Sequence, residues 1–245
     1  MKIEERLKVL ENLKNDLLSN IKNELISLYV YGSTLNVDFC KYSDFDVLLV
    51  YRDELNFIEL EKIKELKEKY ESGGIFVDIG VHTLKEMPIV RGKMFWHNNR
   101  GIFMQKEILM YGKLMYGVEH FGNFLFTLDE LKDECVKVIH SLKYNQRKYI
   151  STHPRCFQTK KMAMKYALYA ITYGLAYFSI FPKNKIDTYK EFDLKFNLSV
   201  KATDLLKIKM NNYEDDYDVI LFKTYAFLNE LDSYIFSDYN NTTNL

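Results

Sequence analysis

The run Phe45-Asp-Val-Leu-Leu-Val-Tyr51 constrains this chain more than any other stretch. Apart from Asp46 it is continuously apolar, so it reads as a strand buried on both faces. Such a strand needs partners in a sheet and a layer of structure packed on it. Its partners are visible nearby. Ile26–Tyr31 reads as a strand that stops at Gly32-Ser33, and Ile75–His82 reads as a third. Helices supply the layer. Ile3, Leu7, Leu10, Leu13, Leu17 and Ile21 recur at steps of three and four, which makes an amphipathic helix. A second covers 55–71, with Leu60, Ile63, Leu66 and Tyr70 as its apolar stripe and Ser72-Gly73-Gly74 as its stop.

The first 83 residues therefore run helix, strand, strand, helix, strand, and Leu114–Gly117 reads as a last short strand. From Leu128 onward the pattern is helical, with helices expected over 128–150, 159–180, 199–211 and 214–236 and breaks at His153-Pro154 and Phe181-Pro182. The fold class predicted is α+β: a small mixed β-sheet with packed helices, then an all-α helical bundle. The expected domains are 1–124 and 125–238, with 239–245 as a frayed tail.

Composition removes several function classes. Lys+Arg and Asp+Glu number 34 each, and zero net charge argues against a large nucleic-acid partner or a membrane-surface role. The three cysteines are widely spaced, with no CxxC or Cys/His cluster, so neither a zinc site nor a disulfide framework is expected. Few cysteines and no apolar leader point to a reduced, cytoplasmic protein. Tyr166–Phe181 is uncharged over 16 residues, shorter than a membrane span needs, and contains four tyrosines; a buried helix is the better reading.

The chemistry concentrates in Tyr31-Gly-Ser-Thr-Leu-Asn-Val-Asp-Phe-Cys-Lys-Tyr-Ser-Asp-Phe-Asp-Val47. Side chains alternate along a strand, so Asp44 and Asp46 project from one face. Two such carboxylates repel unless a cation sits between them, and Mg²⁺ prefers carboxylate oxygens while leaving positions for substrate phosphates. Asp78, between Val77 and Ile79, is expected to be a buried carboxylate that needs a partner or a metal. Three strand carboxylates suit two-metal phosphoryl chemistry. Gly32 lets backbone approach a phosphate, and the Ser33 hydroxyl can donate to it. Ser43 either caps the turn before Asp44 or contacts phosphate. His82 shares the Asp78 face by period two, as a base or nucleotide contact or as a partly buried histidine.

The combination of Gly32-Ser33, Asp44-x-Asp46 between apolar residues and a later lone carboxylate, Asp78, resembles the DNA polymerase β-like nucleotidyltransferase superfamily. Tyr111–Gly117 is similar to the segment that often closes that domain, so the resemblance spans roughly residues 26–120. It implies transfer of an NMP from a nucleoside triphosphate, with AMP from ATP favoured, to a hydroxyl, with two Mg²⁺ ions and release of pyrophosphate. By it, Asp44, Asp46 and Asp78 would be catalytic and hold the metals, Asp78 completing a metal site or taking the acceptor's proton. Gly32, Ser33 and Ser43 would contact the nucleotide. With a helical C-terminal domain of this size, the chain looks most like the streptomycin/spectinomycin-type aminoglycoside adenylyltransferases, which implies a small-molecule acceptor and antibiotic resistance. A lysine of their helical domain reaches the triphosphate; Phe181-Pro182-Lys183 is similar to that place, which assigns Lys183 to the nucleotide. Some relatives build the site across two subunits, so a homodimer is among the assemblies implied.

Two other readings stay open. The acceptor could be a protein or RNA, as for minimal nucleotidyltransferases of toxin–antitoxin type, or the chain could be a non-catalytic nucleotide sensor on the same fold. Arg147-x5-His153 fits the loose pattern of the HEPN ribonucleases that travel with minimal nucleotidyltransferases, but so short a pattern arises by chance. The acidic run Glu214–Asp218 reads as a helix start, or as a lure for a polycation.

Overall fold

A computed structural model describes residues 3–21, 25–35, 44–84, 106, 108–121, 126–182 and 184–243. The chain divides into two compact units, Met1–Phe126 and Thr127–Leu245.

Among the described residues the first unit is built on four strands: β1 (Leu25–Tyr31), β2 (Phe45–Tyr51), β3 (Val77–Thr83) and β4 (Lys113–Gly117). Their order is β3-β2-β1-β4; β1 runs antiparallel to β2 and β4, and β2 runs parallel to β3. The sheet is mixed, as the sequence implied. Helices α1 (Ile3–Asn20) and α2 (Phe57–Ser72) pack on one face. There Leu10, Leu13, Leu17 and Ile21 meet Ile63, Leu66 and Tyr70 over Phe45, Val47, Leu49 and Tyr51. On the other face Tyr29, Leu48 and Val50 are covered by Ile108 and Phe121. Strand β2 is thus buried on both sides, as its apolar run requires.

Local chemistry fixes the ends of these elements. Asn56 accepts from the Glu59 N–H while the Glu59 carboxylate accepts from the Asn56 N–H, a capping box that starts α2. Gly117 ends β4 at φ +86°, with its Cα so close to the Ile26 carbonyl that a Cβ would lie 1.7 Å from that oxygen. The residues after it fold back onto β1. The Tyr29 Oη accepts from the His120 N–H at 2.8 Å, and its ring meets Phe121 edge-on at 4.8 Å.

Two expected stripe residues are on the outside. Leu7 of α1 is 43% exposed and Leu60 of α2 is 45% exposed. In place of Leu7, α1 turns Arg6 inward, only 4% exposed.

Among the described residues the second unit's regular structure is all helix: α3 (Leu128–Thr152), α4 (Phe157–Tyr177), α5 (Lys185–Lys195), α6 (Ala202–Met210) and α7 (Tyr217–Thr243). Its core is α4, wrapped by α3 and α7, and among the described residues no helix is long and apolar enough to cross a membrane. The uncharged stretch from Tyr166 belongs to α4, where Ala167, Ala170, Ile171 and Leu175 are buried, so its apolarity serves the core. Gly174 lets α5 approach: a Cβ there would sit 3.0 Å from Phe192 Cε2.

Helix α5 lies in a segment for which the sequence assigned no helix; it forms because Asn184 caps it by accepting from the Asp187 N–H while Tyr189 and Phe192 bury their rings. The last helix, α7, runs to Thr243. It is tied down by the Tyr177 hydroxyl on Asp238 (2.9 Å) and the Tyr239 hydroxyl on Asp133 (2.6 Å).

Candidate active site

Strand β1 ends at Tyr31, and the chain turns at once into a single 3₁₀ turn, Gly32–Leu35. Gly32 takes φ +65°, a left-handed conformation that only glycine adopts without strain. Its bare Cα faces Asp46: a Cβ would lie 2.5 Å from Asp46 Oδ2 and 3.1 Å from its Cγ. The glycine therefore makes room for a carboxylate as well as for the turn.

Asp46 is the second residue of β2, paired with Tyr31 on the β1 side and with Asp78 on the β3 side. Phe45 and Val47 belong to the core under α1 and α2, so Asp46 projects from the other face. Val77, Ile79 and Val81 pack with that same core, which turns Asp78 and His82 to the Asp46 face. In-register neighbours on adjacent strands are about 4.8 Å apart, so the Asp46 and Asp78 carboxylates leave the sheet side by side. Asp44 precedes β2 by one residue and is exposed; Asp46 and His82 are half-buried.

Asp78 is not buried, contrary to expectation: it is exposed. Among the described strands β3 is at the sheet edge, and the apolar neighbours that suggested burial point the other way, into the helical layer. The argument for Asp78 thus rests on register with Asp46, not on a buried charge.

Among the described residues no group of three or more Asp, Glu, His or Cys side chains converges as a metal cage would. The donor set nevertheless suits Mg²⁺, which is commonly held by one or two carboxylates with substrate phosphates and water completing its shell. Asp46 beside Asp78, with Asp44 two residues upstream, offers that kind of open, oxygen-only site.

The sequence reading missed Thr34. It is 2% exposed, and its hydroxyl accepts from the Asp46 N–H at 2.9 Å and makes a long bond to the Asp44 carbonyl at 3.4 Å. The Arg6 Nη1 donates to the Thr34 carbonyl at 3.0 Å.

Other candidates fare differently. Ser33 lies in the 3₁₀ turn, but its side chain, Ser43 and Lys183 lie outside the described residues. Arg147 and His153 are both exposed on the helical unit, and His153 stacks flat on Tyr149 at 3.7 Å. The acidic run opens α7: the Asp216 carboxylate accepts from the Asp218 N–H, and Asp218 pairs with Arg155 at 2.6 Å. It is a helix start, the plainer of its two readings.

Residues 10–106 match the family model described as a nucleotidyltransferase domain. No curated protein matches the chain. Among solved structures, spectinomycin adenyltransferase AAD(9) from Enterococcus faecialis, with ATP and spectinomycin, is similar with a TM-score of 0.65. Identity to it is 15%, over 92% of this chain and 98% of that one, so the likeness is one of fold. A toxin–antitoxin structure with AMP-PNP is 20% identical over 58% of this chain and 93% of its own, with a TM-score of 0.31. A tri-AMPylated Shewanella oneidensis HEPN toxin with its MNT antitoxin is 19% identical over 61% and 94%, with a TM-score of 0.28. Scores that low bear on neither fold nor site.

Proposed function

We propose that this enzyme, whose first unit carries a nucleotidyltransferase domain, moves an NMP, most simply AMP from ATP, onto a hydroxyl of a small molecule of aminoglycoside type. The observation that carries the reading is the Asp46–Asp78 register beside the Gly32 turn. A pair of like charges side by side, with a glycine clearing space for one of them, costs electrostatic repulsion until a cation joins it. It suits a site that receives cations and phosphates.

In this reading Asp44 and Asp46 hold Mg²⁺, and Asp78 either shares in holding it or takes the proton of the acceptor hydroxyl. When bound, Mg²⁺ neutralises phosphate charge and orients the triphosphate. The chain's own residues do the rest. The Gly32 turn brings backbone N–H groups close to where a phosphate would lie, without a side chain in the way. Asp78, exposed and on the same face, is open to an incoming hydroxyl. The hydroxyl oxygen attacks the α-phosphorus, its proton leaves to a carboxylate or water, and the bond to the β-phosphate bridging oxygen breaks, releasing pyrophosphate.

The acceptor class is supported by a fold shared with an adenyltransferase crystallised with spectinomycin, and by a chain that matches nearly all of that structure's length. The test is pyrophosphate release from Mg²⁺-ATP against a panel of aminoglycosides, spectinomycin and lincosamides, with Asp46→Asn in parallel. Release that needs one compound and disappears in the variant supports the reading. ATP binding without release for any compound sinks the small-molecule acceptor and favours a macromolecular acceptor or a silent sensor.

A further inference from the structure

We propose that Thr34 and Arg6 are positioning residues that hold the Asp44–Asp46 segment in the conformation that binds metal and nucleotide. The proposal rests on the reading above that these carboxylates hold Mg²⁺.

The two peptide groups on either side of Phe45 carry the polar atoms that must be satisfied where β2 begins. One side chain reaches both: the Thr34 hydroxyl accepts from the Asp46 N–H and bonds the Asp44 carbonyl. Asp44 and Asp46 are thereby tied through their backbones to the turn that starts with Gly32. Thr34 is 2% exposed, so no solvent water stands ready to replace its hydroxyl.

Thr34 is itself held from behind. Arg6 sits in the first turns of α1, 4% exposed, and donates to the Thr34 carbonyl at 3.0 Å. A guanidinium cannot shed its proton to escape the cost of burial, so a buried arginine must be compensated by its contacts. Helix α1 thus reaches the Gly32–Leu35 turn through Arg6, and the turn reaches the carboxylate pair. The hydroxyl is the element that matters. Valine has the same shape without it, whereas serine keeps it.

The experiment compares wild type, Thr34→Val, Thr34→Ser and Asp46→Asn. Hydrogen exchange is read at the Asp46 amide, and Mn²⁺ binding by electron paramagnetic resonance with and without ATP. Thr34→Val should exchange its Asp46 amide roughly tenfold faster and bind Mn²⁺ roughly tenfold more weakly, the worth of one buried hydrogen bond. Thr34→Ser should restore both. If Thr34→Val does not fold, Arg6→Lys is read instead; it keeps the charge, loses the planar donor and should weaken Mn²⁺ binding in the same direction. Unchanged Mn²⁺ affinity in the folded variant, with Asp46→Asn clearly weakened, overturns the positioning role. Unchanged affinity in Asp46→Asn overturns the metal reading and this proposal together. That failure is recognisable because the Thr34→Val amide would still exchange faster.

Discussion

Replacing Gly32 with alanine should cost far more turnover than stability. Two effects act at once. An L-residue held at φ +65° is strained by about 1–2 kcal/mol. The new Cβ would also lie 2.5 Å from Asp46 Oδ2, where ordinary contact begins at 3.4 Å. The carboxylate is the end of a flexible side chain, so it gives way, by roughly 1 Å on that difference. A misplacement of about 1 Å at a reacting centre costs on the order of a hundredfold in rate, or about 3 kcal/mol of transition-state stabilisation. Gly74 is the internal control. It takes φ +77° with nothing within 4 Å of its Cβ position, so Gly74→Ala carries the backbone strain without the carboxylate contact. Both variants should melt a few degrees below wild type, about what 1–2 kcal/mol produces in units of this size. Only Gly32→Ala should lose its pyrophosphate release and weaken its Mn²⁺ binding. Equal activity in the two variants would refute the claim that the glycine clears space for Asp46.

Asp78→Asn should abolish turnover while leaving thermal stability unchanged or a few tenths of a kcal/mol higher, because it removes a like charge directly beside Asp46; a destabilised variant in calorimetry would mean Asp78 is structural. Burial, with the Glu119 carboxylate adding to it, pushes the Tyr29 phenol up from 10.0 to about 12. Between those values the folded chain keeps a proton that the unfolded chain releases, so this group's contribution is full below pH 10 and is lost as pH rises toward 12. Tyr29→Phe should therefore make the alkaline fall in stability shallower by about one proton in urea melts across that range. Identical slopes would show that Tyr29 titrates no differently in the folded chain.

Much of the fold was legible because its strongest signals are local. Strand β2 has the bounds its apolar run predicts, and the parallel β2–β3 pairing brings Asp46 and Asp78 together from positions far apart in sequence. What escaped depends on contacts that a periodic pattern does not encode. Positions 6 and 7 both fit the spacing that leads to Leu10, and pattern alone favours the leucine. The structure buries Arg6 because its guanidinium reaches the Thr34 carbonyl. Asp78 looked buried because its neighbours are apolar, but period two sends those neighbours to the opposite face. Thr34 gave no signal at all, since a threonine in a turn is ordinary until Asp46 is found on its hydroxyl. Helix α5 did carry one: Asn184 with Asp187 three residues on is a cap, overlooked because the segment is short and follows a proline break.

The most direct test of nucleotidyl transfer uses ATP labelled in turn at the α- and the γ-phosphate, incubated with Mg²⁺ and whichever acceptor triggers turnover. The α-label is expected on the acceptor and the γ-label in pyrophosphate, with both transfers lost in Asp46→Asn. A γ-label on the acceptor would make the chain a phosphotransferase, and α-label transfer that survives Asp46→Asn would remove the carboxylate pair from the chemistry.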